Sequence, residues 1–235
     1  MLIQGFQKMT LLDYPGQVAC TVFTGGCNLR CPFCHNASLV LPGRGKQVEN
    51  EERVLQFLER RRGMLDGVAV TGGEPLLHAG LPAFLQKVRA LGYRIKLDTN
   101  GTFPERLREV VEAGLIDYVA MDVKNAFPCY AESVGLPAFD ASPVRRSMEY
   151  LLSLRAEQVT CEFRTTVVRG LHTAERLMDT ARALAGAQAY YLQAYRDSGD
   201  VIAPEGLGSF SDAEMRDLLK AVRTVFPAAE LRGVD

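Results

Sequence analysis

The sequence predicts an α/β fold, an open, partial parallel β/α barrel of about six βα units. Three observations predict it. Strand-like apolar runs alternate with amphipathic stretches along the chain, the pattern of a parallel sheet with helices outside. The units are too few for the eight of a closed barrel. The unusual polar residues follow strand ends, where parallel sheets gather ligands. A doubly wound flat sheet is the alternative, since sequence alone does not set strand order. With 235 residues, 47% of them hydrophobic, and no Ser/Gly linker or repeat, residues 1–235 read as one domain.

The elements follow in order. Residues 18–23, rich in β-branched and aromatic side chains, read as a buried strand. Residues 51–62 carry Val54, Leu55 and Leu58 amid charges, as an amphipathic helix does. Residues 67–70 form a short strand and 81–91 a helix. The strand 94–97 runs into the turn signal Asp98-Thr99-Asn100-Gly101. The helix 104–113 is stopped by Gly114, and 118–123 is a strand. Ser142-Pro143 reads as an N-cap with Pro at N1, opening a helix to about residue 155. After the strand 159–168, Thr173 caps a helix to residue 185, and 189–194 is the next strand. Ser211 and Glu214 form a capping box for the last helix, which ends near Val225 before Pro227.

Composition excludes some classes. A net charge of -1 lacks the basic excess of a phosphate-neutralising protein, so no nucleic-acid partner is expected. No apolar run approaches the ~20 residues that span a bilayer, and residues 1–15 lack the features of a signal peptide. The expected location is the cytoplasm, with no membrane partner. The run Arg60-Arg61-Arg62 reads as a solvated helix end, with electron-donor docking as the alternative.

Chemistry concentrates in Gly25-Gly26-Cys27-Asn28-Leu29-Arg30-Cys31-Pro32-Phe33-Cys34-His35-Asn36. Three thiolates so close together can converge on one inorganic centre. A 4Fe–4S cluster usually takes four cysteines, so three would leave one iron open. Structural zinc with His35 as fourth ligand is the competing reading, although zinc ligands usually come as separated pairs. Cys20, Cys129 and Cys161 read as small buried hydrophobes. His35 reads as packing beside a ligand, and His78 and His172 as surface residues. After the second strand, Thr71-Gly72-Gly73-Glu74-Pro75 exposes backbone groups and a carboxylate able to orient an ammonium. A plain βα loop is the alternative.

The C-x3-C-x2-C spacing with Phe33 before the last cysteine resembles the radical S-adenosylmethionine (SAM) superfamily. The narrower resemblance, on Asp13-Tyr14-Pro15-Gly16, the Cys-His-Asn ending at Asn36, Asp98-Thr99-Asn100-Gly101 and Met121-Asp122-Val123-Lys124, is to the glycyl-radical-enzyme activating enzymes. The opening through Asn36 looks most like the activating proteins of anaerobic ribonucleoside-triphosphate reductase.

The resemblance implies a 4Fe–4S cluster on Cys27, Cys31 and Cys34, with SAM on its open iron. It implies that Gly72, Gly73 and Glu74 bind the SAM amino group. Lys124 and Arg164 would lie near its ribose and carboxylate, with Asn36, Asp98, Thr99 and Asp122 in the same site. A strand-end salt bridge is the alternative for Lys124 and Arg164. Arg196 stands where some relatives carry a histidine facing SAM. Asp13 would meet the glycine loop of a partner protein, unless it is only a turn carboxylate.

Asp98 and Asp122 end adjacent strands, so their repulsion needs neutralising by protonation, by Lys124 or by a monovalent cation. The resemblance implies the cation, on Asp98, Thr99, Asp122 and the Ala120 carbonyl. The implied reaction is reductive cleavage of SAM, then hydrogen abstraction from a glycine of the partner enzyme. Electrons would come from a flavodoxin or ferredoxin, since no second cysteine set is present. Two other functions compete: a radical SAM enzyme acting on a small molecule, like 7-carboxy-7-deazaguanine synthase, and a non-catalytic zinc or iron–sulfur module.

Overall fold

The computed structural model describes residues 1–41, 50–197 and 199–234. One sheet runs in sequence order through β1 (Ile3–Thr10), β2 (Ala19–Thr24), β3 (Gly67–Gly72), β4 (Arg94–Thr99), β5 (Tyr118–Asp122), β6 (Thr160–Val167), β7 (Tyr190–Ala194) and β8 (Glu230–Arg232). β1 is antiparallel to β2, and all other neighbours are parallel. Among the described residues no ladder joins β1 to β8, so the barrel is open. The helices are α1 (Ala37–Val40), α2 (Glu51–Arg60), α3 (Leu81–Ala90), α4 (Pro104–Glu112), α5 (Tyr130–Val134), α6 (Ser142–Ser153), α7 (Ala174–Ala183) and α8 (Asp212–Arg223).

From β2 to α8 the chain makes the six βα units expected. β1 and β8 were not anticipated. β1 holds Gly5 and is only partly buried along its middle, so it lacks an apolar signal. β8 has only three residues. Asp98 and Thr99, read as part of a turn, instead complete β4, and Gly72 completes β3. Ser142 is not the cap of its helix: it is the first helical residue, and its N–H and hydroxyl both donate to Asp140, at 2.9 and 2.7 Å. Thr173 does cap α7, and Ser211 with Glu214 forms the capping box of α8.

Strand alternation sorts the side chains. Cys20, Val22, Val68, Val70, Ile95, Leu97, Val119, Met121, Cys161, Phe163 and Leu192 are all buried in the apolar core. Thr21, Lys96, Asp98, Tyr118, Asp122, Glu162 and Arg164 hold the intervening positions, where they bond to one another or to residues in the barrel interior. The interior is therefore polar. Cys20 and Cys161 are buried as expected, but Cys129 is only half-buried in the turn before α5. The histidines also differ from expectation. His172 is buried, with Nε2 2.9 Å from the Lys124 carbonyl and Nδ1 accepting from the Val168 N–H at 3.0 Å. His78 is half-buried, with Nε2 2.9 Å from the Gly25 carbonyl. Both chain segments turn back onto loops that no local pattern reveals. Among the described residues no helix is long and apolar enough to cross a membrane.

The loop after β7 clasps the cysteine loop after β2. Ala37 N–H donates to the Asp200 carbonyl at 3.2 Å and Ser38 N–H to its Oδ2 at 3.0 Å. Ile202 and Ala203 N–H groups donate to the carbonyls of Cys34 and Pro32, at 3.2 and 2.9 Å. Asp200 thus satisfies N–H groups that begin α1. Asp200→Ala should destabilise the protein by about 1 kcal/mol, the usual scale for losing such a capping side chain. Urea unfolding of the apo-protein measures it.

Candidate active site

A cavity of about 290 Å³ opens where β2 to β7 end. Cys27, Cys31 and Cys34 share its wall with Asn36, Gly72, Gly73, Asp98, Thr99, Asp122, Lys124 and Arg164. The fold thus brings together most of the residues singled out from sequence. Asp13 also lines the cavity. It follows β1 and approaches from the N-terminal side of β2, accepting from the Thr21 hydroxyl at 2.5 Å.

Backbone bonds shape the cysteine loop. Leu29 N–H and the Asn100 amide both donate to Cys27 Sγ, at 3.4 and 3.7 Å. Arg30 donates to the carbonyls of Cys27 and Leu29 at 2.7 Å. Burial pushes the Cys27 thiol up to about 11 and the Cys31 thiol up to about 12, and raises that of Cys34. Without a metal these thiols stay protonated at neutral pH and are poor nucleophiles; a metal would draw them as thiolates. Among the described residues no three Cys, His, Asp or Glu side chains converge closely enough for one ion. His35 is exposed as a residue but also lines the cavity beside the cysteines. A cluster sets iron and sulfide between its thiolates, so the cysteines need only surround a shared space, as they do here.

Glycine is required where this loop meets the next. A Cβ on Gly73 would lie 1.9 Å from the Gly26 carbonyl oxygen, and one on Gly72 would lie 2.4 Å from Thr24 backbone atoms. Gly73 and Glu74 N–H groups donate across the gap to Thr24 and Gly26 carbonyls, both at 2.9 Å.

Glu74 departs from expectation. It is fully buried and absent from the cavity wall. Its Oε1 accepts from Leu76 N–H at 3.0 Å and Thr99 hydroxyl at 2.8 Å, and its Oε2 from Asn100 N–H at 2.7 Å. Burial pushes its pKa up to about 7 against these bonds, which favour the carboxylate. Glu74 ties the β3 loop to the end of β4, and Gly72 and Gly73 present that loop's backbone to the cavity.

The carboxylates at the rim are already paired. Arg164 Nε lies 2.9 Å from Asp122 Oδ1, and its Nη1 3.4 Å from Asp98 Oδ2. Lys124 Nζ lies 3.0 Å from Asp122 Oδ2, and Lys96 bonds to Asp98. Burial disfavours the Asp122 carboxylate, yet Arg164 and then Lys124 hold its pKa well below the usual range. Asp98 is also lowered, against burial, by Arg164 and then Lys96. The Lys124 bridge, the alternative to a monovalent cation, is therefore present, and three protein cations meet two carboxylates. Ala120 lies in register with Asp98 and Glu162 and takes no place in the cavity wall.

Sequence reasoning missed Lys96, Thr166 and Gln193, and gave Asn100 a place in a motif without a role of its own. Lys96 could have been found as a charge flanked by the apolar Ile95 and Leu97 of β4. Gln193 of β7 lines the cavity, whereas Arg196 is exposed and donates to the Gly233 carbonyl at 3.0 Å.

Residues 21–184 match the family model of the radical SAM superfamily. The chain is 32% identical over 197 residues to a protein of Methanocaldococcus jannaschii provisionally named a glycyl-radical enzyme activating enzyme, covering 83% of this chain and 80% of the relative. It is 35% identical over 97 residues to 7-carboxy-7-deazaguanine synthase of Hyperthermus butylicus, covering 41% of this chain and 40% of that one. The structure of Streptococcus suis SuiB bound to S-adenosylmethionine shares the fold, with a TM-score of 0.69 and 13% identity, over 89% of this chain and 49% of SuiB.

Glu74→Gln would turn an amide N–H toward at least one of three donors. The apo-protein should lose about 1–3 kcal/mol, the range for one buried unsatisfied group, in urea unfolding, and take up less iron on reconstitution. Parental stability would remove the tethering role.

Proposed function

The chain belongs to the radical SAM superfamily, and on that premise we propose that it activates a glycyl-radical enzyme by cleaving SAM at a 4Fe–4S cluster on Cys27, Cys31 and Cys34. The observation that carries this reading is that these cysteines face the same cavity as the Gly72–Gly73 backbone and the cationic rim. The activating-enzyme relative spans most of the chain, whereas the deazaguanine synthase relative spans less than half. That difference favours a protein substrate over a small molecule. We take the partner to be anaerobic ribonucleoside-triphosphate reductase, from the resemblance in residues 5–36.

When bound, the reduced cluster supplies one electron to SAM, whose cleavage supplies the radical that takes a hydrogen atom from the substrate glycine. The protein binds and orients. Backbone carbonyls of the Gly72–Gly73 loop receive the SAM ammonium, and Glu74 fixes that loop through Thr99 and Asn100. Lys96, Lys124 and Arg164 outnumber Asp98 and Asp122 by one charge. That surplus suits the SAM carboxylate, which Arg164 and Lys124 receive at the rim. Asn36 and Thr99 line the same space. We assign Asp13, which lines the same cavity, to the backbone of an incoming glycine loop. The remaining cysteines are dispersed, so the electron comes from an external donor of the flavodoxin or ferredoxin kind.

The test is anaerobic reconstitution followed by dithionite and SAM, with 5′-deoxyadenosine as readout. Cys27→Ala, Cys31→Ala and Cys34→Ala should each bind little iron and release none of the nucleoside. Cys129→Ala should retain both, and equal iron loss there would contradict the ligand set. With the reductase subunit added, an electron-spin signal of a glycyl radical should appear. Asp13→Ala should weaken that signal and spare uncoupled SAM cleavage. Equal loss of both would assign Asp13 a structural role.

A further inference from the structure

Glu162 is a fully buried acid outside the cavity wall. It lies on β6 two residues before Arg164, so both side chains leave the strand on the interior face. Arg232 of β8 grips its carboxylate with both ends of the guanidinium, Nη1 to Oε1 at 2.8 Å and Nη2 to Oε2 at 2.7 Å. The Tyr118 hydroxyl donates to Oε2 at 2.5 Å. Arg232 lies over the Tyr191 ring, its guanidinium carbon 3.4 Å from the centroid.

Arg164 stands between two sets of acids. On the cavity side are Asp122 and Asp98, at 2.9 and 3.4 Å. On the other side its Nη1 is 4.0 Å from Glu162 Oε1. A buried carboxylate without a cation is costly and recruits the nearest one. With Arg232 in place, Glu162 is satisfied by two charge-assisted bonds, and Arg164 remains with the cavity carboxylates. The geometry points to Arg232 as a positioning residue for cosubstrate binding: by neutralising Glu162 it keeps the Arg164 guanidinium at the rim. The inference rests on the proposed assignment of Arg164 to the SAM carboxylate.

Arg232→Met removes the charge and leaves Glu162 to compete for Arg164. In calorimetric titration of the reconstituted protein, SAM affinity should fall roughly tenfold, the scale of one charge-assisted bond, at unchanged iron content. In a crystal of the apo variant, Arg164 should close to hydrogen-bonding distance of Glu162; an unmoved Arg164 would overturn the inference. Arg232→Lys should recover part of the affinity. Adding Glu162→Gln to Arg232→Met removes the competitor and should recover most of it. If Arg232 merely fastens β8 to the sheet, the double variant will bind as weakly as the single one or worse, and the inference fails. Should Arg232→Met not fold, Glu162→Gln is compared with the double variant. Equal affinities support the inference, because Arg232 then has nothing to hold off, and a further loss overturns it. Arg164→Met separates the two readings. Parental affinity in that variant would sink the assignment of Arg164 to the cosubstrate, while its movement in the apo Arg232→Met crystal would still report on Arg232.

Discussion

The ion pairs of Arg164 with Asp98 and Asp122 hold the interior of this barrel together. Strand alternation sends apolar side chains to the helices and polar ones inward, so the inner face cannot be stabilised by apolar burial. Its charges must be matched within it, because buried unpaired charges are costly. Arg164 meets this need by bridging the ends of β4 and β5 from β6, the adjacent strand. Lys96 and Lys124 complete the pairing from the same strands as the acids or just beyond them. A cavity with charged walls then persists where an apolar barrel would close.

A second constraint is close backbone approach. The β2 and β3 loops touch through Gly72 and Gly73, where a side chain would overlap backbone atoms of Thr24 and Gly26. Glu74 extends the contact to β4 through Thr99 and Asn100, and Asn100 reaches back to Cys27 Sγ. Three loops distant in sequence thus form one unit around the cysteines. A hydrogen bond to a ligating sulfur bears on the potential of a cluster, so under the proposed function this unit would link the Gly72–Gly73 loop to the electronic properties of the cluster.

The open sheet divides the work between its two ends. At the strand C-termini, the strap from Asp200 to Ala203 covers the cysteine loop. Asp13 enters from the other side, beside Thr21, and reaches the same cavity. A closed eight-fold barrel filled with side chains would leave no such passage. An open one suits a substrate that is itself part of a protein, because a loop can enter without being threaded.

Local sequence determined the βα repeat, the capping of α7 and α8, the cysteine cluster and the glycine pair. These depend on periodicity and residue type, which are written in short stretches of chain. β1 and β8 were illegible because edge strands carry little apolar signal and β8 is very short. Tertiary structure alone decided the role of Glu74, which residue type suggested as a ligand contact and which burial turned into a tether. It also decided that Lys96, Lys124 and Arg164 neutralise the rim acids, since the pairings cross strands whose register no single segment encodes. The pairing of Glu162 with Arg232, seventy residues apart, belongs to the same class. Charges find partners through space, and only the folded sheet sets which of them are neighbours.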